Sequence, residues 1–361
     1  MRHNMKLYAW LALVTLISSC SPNEIKSITV PIQETKDTVA IDKEEVEEEA
    51  EEEETEAEEN PIPEETIDST VTEENEEEIP IEEPFDSVIV EKKIQVVLLA
   101  GQSNMSGHGN YDALDDQTKG QIIKASETVF LSNYRDNAPS PLTYYDYTGN
   151  NYDFKNHFGP ELLAGATLAE KYPEKEFLFI KLAMGGTSLY GAWNANWSAE
   201  QAAEIENEVI RERPLYNWHL EHIKDNLLAL EEQGKLYEII GLLWFQGEHD
   251  TLREAAANSY LQNLTALVNA YRNEFDVQNM PVVVGQINST YGVDGGAGKI
   301  RAAMEQYAES DRYSKLITTT EGPNWSDYPK HEDNIHYNAE GLKRLGEEFG
   351  KKLIDLLEQA Q

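Results

Sequence analysis

Short runs of apolar residues recur along the chain from residue 94 onwards. They lie at 96–100, 127–133, 177–183, 239–245 and 281–287, and a further strand is expected around 316–319. Hydrophobicity that continues along a segment, instead of alternating, is typical of strands buried on both faces of a sheet. We therefore predict that these segments are strands of one sheet.

Segments with helical periodicity separate the predicted strands. They lie at 159–172, 214–234, 257–275 and 338–359, and Gly234 is placed to end the second of them. Alternating strands and helices predict an α/β fold, a three-layer sandwich in which helices cover both faces of a central parallel sheet. Residues 87–361 are predicted to form this domain. Ligands of such sheets bind at the carboxyl ends of the strands.

The first 19 residues have the pattern of an export signal. An apolar stretch at 7–17, too short to span a bilayer, follows the positively charged Arg2, His3 and Lys6. We therefore interpret residues 1–19 as a signal peptide that is not part of the folded protein.

The residues at the end of this segment resemble the lipobox of bacterial lipoproteins. Ser18 and Ser19 stand directly before Cys20, the only cysteine of the chain, so no disulfide can form within it. In bacterial lipoproteins the cysteine at this place is lipidated. The resemblance predicts a membrane anchor at Cys20 and a place in the bacterial cell envelope, in the outer membrane or at the cell surface. An ordinary signal peptide with an incidental cysteine is the alternative.

Residues 20–86 are dominated by glutamate. Between Glu34 and Asp86 the chain carries 26 acidic and 2 basic residues, which accounts for most of its formal net charge of −38. Such a tract buries too little apolar surface to offset the entropy of ordering, so we predict a disordered spacer between membrane and domain. Cation binding by the glutamates is the alternative. Nucleic acid is not an expected partner, because no basic stripe with interleaved aromatic residues is present.

Four polar clusters follow predicted strands. They are "GQSNMSG" at 101–107, "AMGGTSL" at 183–189, "QGEHD" at 246–250 and "EDNIHYNAEG" at 332–341. The carboxyl ends of parallel strands meet at one edge of a sheet, so we expect the four clusters to converge there.

These clusters contain the groups that nucleophilic acyl transfer requires. A serine hydroxyl needs a base within hydrogen-bond reach and an acid that orients the base. Ser103 is the candidate nucleophile, His336 the base and Asp333 the orienting acid. Candidate donors to an oxyanion are the backbone N–H of Ser103, one N–H of the Gly185–Gly186 pair and the side-chain amide of Gln246.

Each cluster taken alone has a simpler explanation. A glycine-flanked serine after a strand is common in turns and helix caps. Asp333 and His336 alone could be a surface pair, and Gly185–Gly186 alone indicates a tight turn. The "QGE" cluster is more informative, because a buried amide and carboxylate are costly unless they are paired. The functional hypothesis depends on finding all four clusters at strand ends.

The clusters resemble the conserved blocks of the SGNH-hydrolase superfamily. The segments that carry the resemblance are "GQSNMSG", "GGTSL", "WFQGEHD" and "DNIHYNAEG", together with "FGPE" at 158–161. More narrowly, they resemble the sialate O-acetylesterase-like branch, which includes the acetylxylan esterases of carbohydrate esterase family 6. Over residues 95–350 the resemblance implies a flavodoxin-like sheet. It also implies hydrolysis of O-acetyl esters on carbohydrates without metal or cofactor.

The resemblance also implies roles for individual residues. It makes Ser103 the nucleophile, His336 the base and Asp333 its partner, and Glu248 matches a second acid of the machinery in some relatives. In the wider superfamily an asparagine supplies an oxyanion donor, and here Gln246 stands in its place. The α/β-hydrolase motif Gly-x-Ser-x-Gly is not met, because Met105 replaces its second glycine.

The substrate is less constrained by the sequence. Gln102 and Asn104 flank the candidate nucleophile, and Trp193 and Asn194 lie in an aromatic-rich segment, so we expect these four residues to contact substrate. Xylan, pectin, sialic acid and other acetylated glycans all remain open, and a sialate O-acetylesterase is one alternative. A surface glycan-binding lipoprotein without catalysis is a second alternative, from a different class of function.

Overall fold

A seven-stranded sheet forms the centre of the computed structural model, which describes residues 92–134, 136–149, 151–290, 292, 295–321 and 326–359. The predicted signal peptide, Cys20 and the glutamate-rich segment lie outside these residues. The strands are β1 (Ile94–Gly101), β2 (Gly109–Asn110), β3 (Val129–Asn133), β4 (Ser140–Pro141), β5 (Tyr145–Asp146), β6 (Asn156–Phe158), β7 (Phe177–Ala183), β8 (Tyr237–Phe245), β9 (Val282–Gly285) and β10 (Ser314–Ile317).

The main sheet has the order β10-β9-β8-β1-β7-β3-β4, and β2, β6 and β5 form a small antiparallel sheet. All neighbours in the main sheet are parallel except β3 and the edge strand β4. Every one of the six predicted strands is present, and β1 pairs with β7 on one side and β8 on the other. The prediction of an α/β fold with a central parallel sheet is confirmed.

Helices cover both faces of this sheet. They are α1 (Ser103–Ser106), α2 (Asp116–Ala125), α3 (Glu161–Lys171), α4 (Ala199–Ala202), α5 (Leu215–Glu232), α6 (Glu254–Glu274), α7 (Gly296–Ser310) and α8 (Ala339–Gln359), and two short 3₁₀ turns lie at Tyr111–Ala113 and His249–Leu252. In the part of the chain that is described, no helix combines the length and the apolar character needed to cross a membrane.

Alternate residues of β1 belong to two separate cores. Leu98 packs with apolar residues of α5, α6 and α7, whereas Val97 and Leu99 pack with those of α2, α3 and α8. Because both faces of the strand are buried, each of its positions from 95 to 101 is buried. This arrangement explains the unbroken apolar run in the sequence.

The strand order reverses between β1 and β8. From β1 the chain passes to β3 and β7, which lie on one side of β1 within the sheet. It then crosses to β8, which lies on the other side of β1. Without the outer strands β3 and β4, the remaining order β7-β1-β8-β9-β10 is that of flavodoxin. Ligands of such sheets bind where the strand order reverses, which here is between β1 and β8.

Candidate active site

Ser103 is the first residue of α1, directly after the central strand. Gln102 precedes the helix with extended backbone angles (φ −116°, ψ −150°). A Cβ atom on Gly101 would lie 2.1 Å from the carbonyl oxygen of Phe245, so glycine is required for β1 and β8 to end this close together. Met105, in the same helix, is completely buried, while Ser103 is half-buried. The turn therefore holds the serine at the edge of the sheet.

Asp333 and His336 are paired in the loop before α8. The Oδ2 atom of Asp333 lies 2.8 Å from Nδ1 of His336, and Oδ1 accepts the backbone N–H groups of Ile335 and His336 at 2.8 and 2.9 Å. Partial burial raises the pKa of the Asp333 carboxyl, but the hydrogen bonds from the His336 ring and from these N–H groups outweigh it. The pKa is therefore held well below its usual range. Asp333 is ionised at neutral pH.

Asn104 connects the serine turn to the histidine loop. Its Nδ2 atom donates to the carbonyl oxygen of Ile335 at 3.3 Å, and its Oδ1 atom accepts the N–H of Tyr337 at 3.2 Å. One carboxamide thus binds the backbone on both sides of His336, from the position next to Ser103. Within the described residues no hydrogen bond joins the Ser103 hydroxyl to the His336 ring, and such bonds are often long before substrate binds.

Glu248 binds the two amides beside the serine. It accepts Nδ2 of Asn104 at 2.8 Å on one oxygen and Nε2 of Gln102 on the other. All three side chains are at most 4% exposed. The expectation that Gln102 and Asn104 contact substrate is therefore corrected, because their amides are buried against Glu248. No hydrogen bond between Glu248 and His336 is present among the described residues, whereas Asp333 is bonded to the imidazole.

A buried lysine lies near this carboxylate. Burial lowers the pKa of Lys330 to about 8, against the opposing attraction of Glu248, Asp333 and Asp327. Its ammonium donates to the backbone carbonyl of Asn288. The negative charge of Glu248 is thus balanced by two amides and a nearby cation, as a buried carboxylate requires.

Gly185 and Gly186 follow β7 and face the serine turn. A Cβ atom on Gly185 would lie 3.4 Å from Cβ of Ser103, and Gly186 has a φ of +66°, which favours glycine. Neither the N–H of Ser103 nor that of Gly185 donates to another group in the described structure. Two backbone donors are therefore close to the hydroxyl without being used in the fold.

Gln246 does not provide a third donor. Its Nε2 atom donates to the carbonyl oxygen of Thr187 at 2.8 Å and to Oδ2 of Asp250 at 2.6 Å, and its Oε1 atom is bonded by the Tyr260 hydroxyl. The side chain is completely buried. Both amide hydrogens are occupied, so the predicted role of Gln246 as an oxyanion donor is corrected. Its role is to hold the backbone that follows the glycine pair.

Two buried carboxylates hold the same segment, and the sequence predictions omitted both. Asp250 accepts the N–H groups of Leu189 and Tyr190 at 2.8 and 2.9 Å. Glu206 accepts the N–H and the hydroxyl of Ser188 at 2.8 and 2.7 Å. Burial raises the pKa of Asp250 to about 7, although its hydrogen-bond donors favour the ionised form. Asp250 stands in the quoted "QGEHD" cluster, where a second acid two positions from Glu248 was the available signal.

Trp193 and Asn194 are structural residues. The Trp193 ring is completely buried, packs edge-on against Trp244 at 5.5 Å and donates its indole N–H to the Thr187 hydroxyl. Asn194 is 8% exposed and donates to the carbonyl oxygen of Tyr190. The prediction that these residues contact substrate is wrong, because both side chains face the interior.

A buried ion pair supports the serine helix from behind. The Lys181 ammonium, on β7, lies 2.7 Å from Oε2 of Glu161 and donates to the carbonyl oxygen of Ser106 at 3.1 Å. Glu161 is the acid of the "FGPE" segment, and its other oxygen accepts the N–H of Gly159. Removing one partner of such a pair typically costs about 3–5 kcal/mol, because it leaves an uncompensated buried charge.

His108 contacts the ring of the paired histidine. Its ring is edge-on to His336 with the centroids 5.0 Å apart. Burial, together with the charges that His336, His157 and His331 can carry, lowers the pKa of His108 to about 3. His108 is therefore neutral at neutral pH. In the described residues, no three histidine, cysteine, aspartate or glutamate side chains are grouped so that they could hold a metal ion.

Comparison with solved structures places the fold. The crystal structure of an Arabidopsis thaliana protein superposes with a TM-score of 0.53 at 19% identity, covering 73% of this chain and 98% of that one. The structure of NanS superposes with a TM-score of 0.50 at 14% identity, covering 76% and 99%. The sheet order and these likenesses confirm the predicted three-layer α/β sandwich with a central parallel sheet.

Sequence comparison identifies the family. A probable carbohydrate esterase of Arabidopsis thaliana is 25% identical over 127 residues, which span 35% of this chain and slightly under half (45%) of that protein. The model of the family described as carbohydrate esterase, sialic acid-specific acetylesterase, matches residues 93–355. Because this match extends from the central strand into the last helix and includes all four polar clusters, the chain belongs to that carbohydrate esterase family.

Proposed function

We propose that this protein is a carbohydrate O-acetylesterase with a Ser103–His336–Asp333 mechanism, similar to the acetylxylan esterases. The observation that carries the proposal is the Asp333–His336 pair at 2.8 Å. Asn104, the residue after Ser103, is hydrogen-bonded to the backbone on both sides of His336. The family assignment supports ester hydrolysis on a carbohydrate.

Asp333 determines which nitrogen of His336 acts as the base. The ionised carboxylate accepts the Nδ1 proton, so the neutral imidazole carries no proton on Nε2. Nε2 takes the proton of the Ser103 hydroxyl as its oxygen attacks the acetyl carbonyl carbon. The imidazolium that forms is stabilised by the carboxylate at Nδ1.

The attack converts the carbonyl oxygen into an oxyanion. The unused N–H groups of Ser103 and Gly185 are the proposed donors to this oxygen, and loss of one such donor costs about 3–4 kcal/mol. When the tetrahedral intermediate collapses, the sugar oxygen leaves with the proton from His336. Water then attacks the acetyl-serine, with His336 as the base. This hydrolysis releases acetate and restores the serine hydroxyl.

Substitution of the nucleophile tests the mechanism. Ser103→Ala should lower the kcat for acetate release from p-nitrophenyl acetate and from acetylated glycans by about 10⁴-fold or more, with an unchanged fold. Ser106→Ala, in the same short helix, is the control and should retain turnover. A fluorophosphonate should label the wild type at Ser103 and not the Ser103→Ala variant.

Unchanged turnover in Ser103→Ala would reject the assignment. Binding of acetylated glycans by the wild type without any turnover would identify it instead as a non-catalytic glycan-binding protein. A panel of acetylated xylan, pectin and sialic acid, assayed for acetate release, distinguishes an acetylxylan esterase from a sialate O-acetylesterase.

Export and lipid anchoring at Cys20 are part of the same proposal. The serine pair and the cysteine after the apolar stretch support a lipoprotein of the bacterial cell envelope. In a bacterial host, Cys20→Ser should move the protein from the membrane fraction to the soluble fraction and abolish labelling by a fatty-acid analogue. Membrane retention of this variant would contradict the anchor.

A further inference from the structure

A row of contacting rings leads away from His336. The His108 centroid lies 5.0 Å from that of His336, and Tyr152 stacks on His108 at 5.1 Å. Phe154 follows at 5.2 Å from Tyr152 and stacks on His331 at 5.9 Å. The four rings beyond His336 are all half-buried, so each keeps part of its surface accessible.

The row ends at a cavity of about 430 Å³ beside the start of α8. Phe154 and His331 both line this cavity, so the far end of the ring row forms part of its wall. Ser103 and His336 do not line it. The cavity is therefore separate from the place where an ester would be cleaved, and the ring row connects the two.

The rest of the cavity lining is mostly polar. Polar side chains are contributed by Asn110, Asp115, Asp153, Asn338, Glu340 and Lys343. Lys343 is already paired with Asp115 at 3.1 Å, and the lining has three carboxylates for one ammonium. This charge balance disfavours an anionic ligand, and the polar groups disfavour an alkyl chain.

Hydrogen bonds fix the first part of the row. The Nε2 atom of His157 faces the carbonyl oxygen of Phe154 at 3.2 Å and must carry a proton there, so the Nδ1 atom of neutral His157 is an acceptor. Nδ1 of His108 lies 3.4 Å from it and is the donor. The His331 ring also contacts the carbonyl oxygen of His108, through Nε2 at 2.8 Å. The rings are therefore held in place before any ligand binds.

We propose that the ring row and the cavity bind the sugar residues next to the acetylated one, so that the substrate is a neutral acetylated oligosaccharide or polysaccharide. A pyranose ring has an apolar C–H face, which stacks on aromatic rings, and a rim of hydroxyl groups, which bond to amides and carboxylates. The half-buried rings match the C–H face of a sugar, and the polar side chains around them match its hydroxyl groups. The inference rests on the proposed esterase function of Ser103.

The test compares long and short substrates in ring variants. Acetylated xylan, the neutral glycan of the panel, is prepared as a tetrasaccharide and as a monosaccharide. Phe154→Ala and Tyr152→Ala should each raise the KM for the tetrasaccharide by about five- to tenfold, the loss of one ring contact. The monosaccharide and p-nitrophenyl acetate should be hydrolysed within about twofold of wild type. Tyr313→Ala, next to the edge strand β10 and outside the ring row, is the matched control and should change none of these values.

Three results would overturn the inference. One is an unchanged KM for the tetrasaccharide in both variants. Another is an equal loss on all three substrates, which would mean that the rings only support His336. The third is a wild type that prefers the monosaccharide or an acidic glycan. Failure of the esterase proposal is detected separately, by turnover in Ser103→Ala.

Discussion

Asp333 fixes both the place and the protonation of His336. One carboxylate oxygen receives the ring N–H and the other receives two backbone N–H groups of the same loop. The histidine and its acid therefore form a preassembled unit before α8. Because the loop backbone is bonded by the same group, the ring cannot rotate without losing a charged hydrogen bond.

Replacement of this carboxylate by an amide tests the role of the unit. Asp333→Asn should lower kcat by about 10⁴-fold, because an amide N–H facing Nδ1 favours the tautomer whose Nε2 atom carries the proton. Initial rates with p-nitrophenyl acetate measure the effect. The neighbouring exposed acid gives the control, since Glu332→Gln should leave the rate unchanged. A rate near that of wild type in Asp333→Asn would show that another group orients His336.

Individual residues also mark the limit of sequence analysis. The Asp333–His336 pairing was predictable, because three positions along a turn bring side chains to one side. The orientation of Gln246 and Trp193 was not, because a strand-end motif indicates the edge of the sheet and not the direction of each side chain. Both side chains face the interior, where Thr187 accepts a hydrogen bond from each of them.

The segment 184–192 illustrates how one element is positioned by others. It carries the glycine pair next to Ser103, but it has no helical or strand hydrogen bonds of its own. The carboxylates of Asp250 and Glu206 accept its N–H groups, and the Gln246 amide donates to its Thr187 carbonyl. The position of the glycine pair therefore depends on buried side chains that do not touch substrate.

Removal of one acceptor should displace this segment. Asp250→Asn replaces an oxygen by an NH₂ group that faces N–H donors, so we expect kcat to fall by about tenfold to a hundredfold, with a KM close to that of wild type. Steady-state kinetics with p-nitrophenyl acetate measure kcat and KM separately. Glu204→Gln is the control, because Glu204 is exposed and contacts the same segment only through the Tyr190 hydroxyl.

The pH dependence of stability gives an independent readout for Asp250. Its pKa is about 7 in the folded protein, against 3.8 for an exposed aspartate carboxyl. Between these pH values the folded state keeps a proton that the unfolded state has lost. The protonated carboxyl therefore stabilises the folded state fully below about pH 3.8, and this contribution is lost as the pH rises through 7. The difference in unfolding free energy between wild type and Asp250→Asn should be larger at pH 5 than at pH 8, as urea denaturation would measure. Equal differences would show that the carboxyl does not titrate in this range.

At the scale of the whole molecule, the sheet was predictable and the small elements were not. Six buried strands appear as apolar runs because helices cover both of their faces. The two- and three-residue strands β2, β5 and β6 are too short to have a period. Helix α7 was missed although Ile300, Ala303, Met304 and Tyr307, all buried, have the spacing of an amphipathic helix. The ring row could not be read from the sequence, because it is assembled from three distant segments.

The bond between Asn104 and Tyr337 spans 233 positions of the chain. The proposed nucleophile thus follows the first strand of the domain, and the proposed base directly precedes its last helix. While the chain is being synthesised or threaded in an extended form, the serine has no general base and is chemically inert. Under the proposed mechanism we expect reactivity to begin only when α8 docks, so the onset of ester cleavage after dilution from denaturant should report the final step of folding.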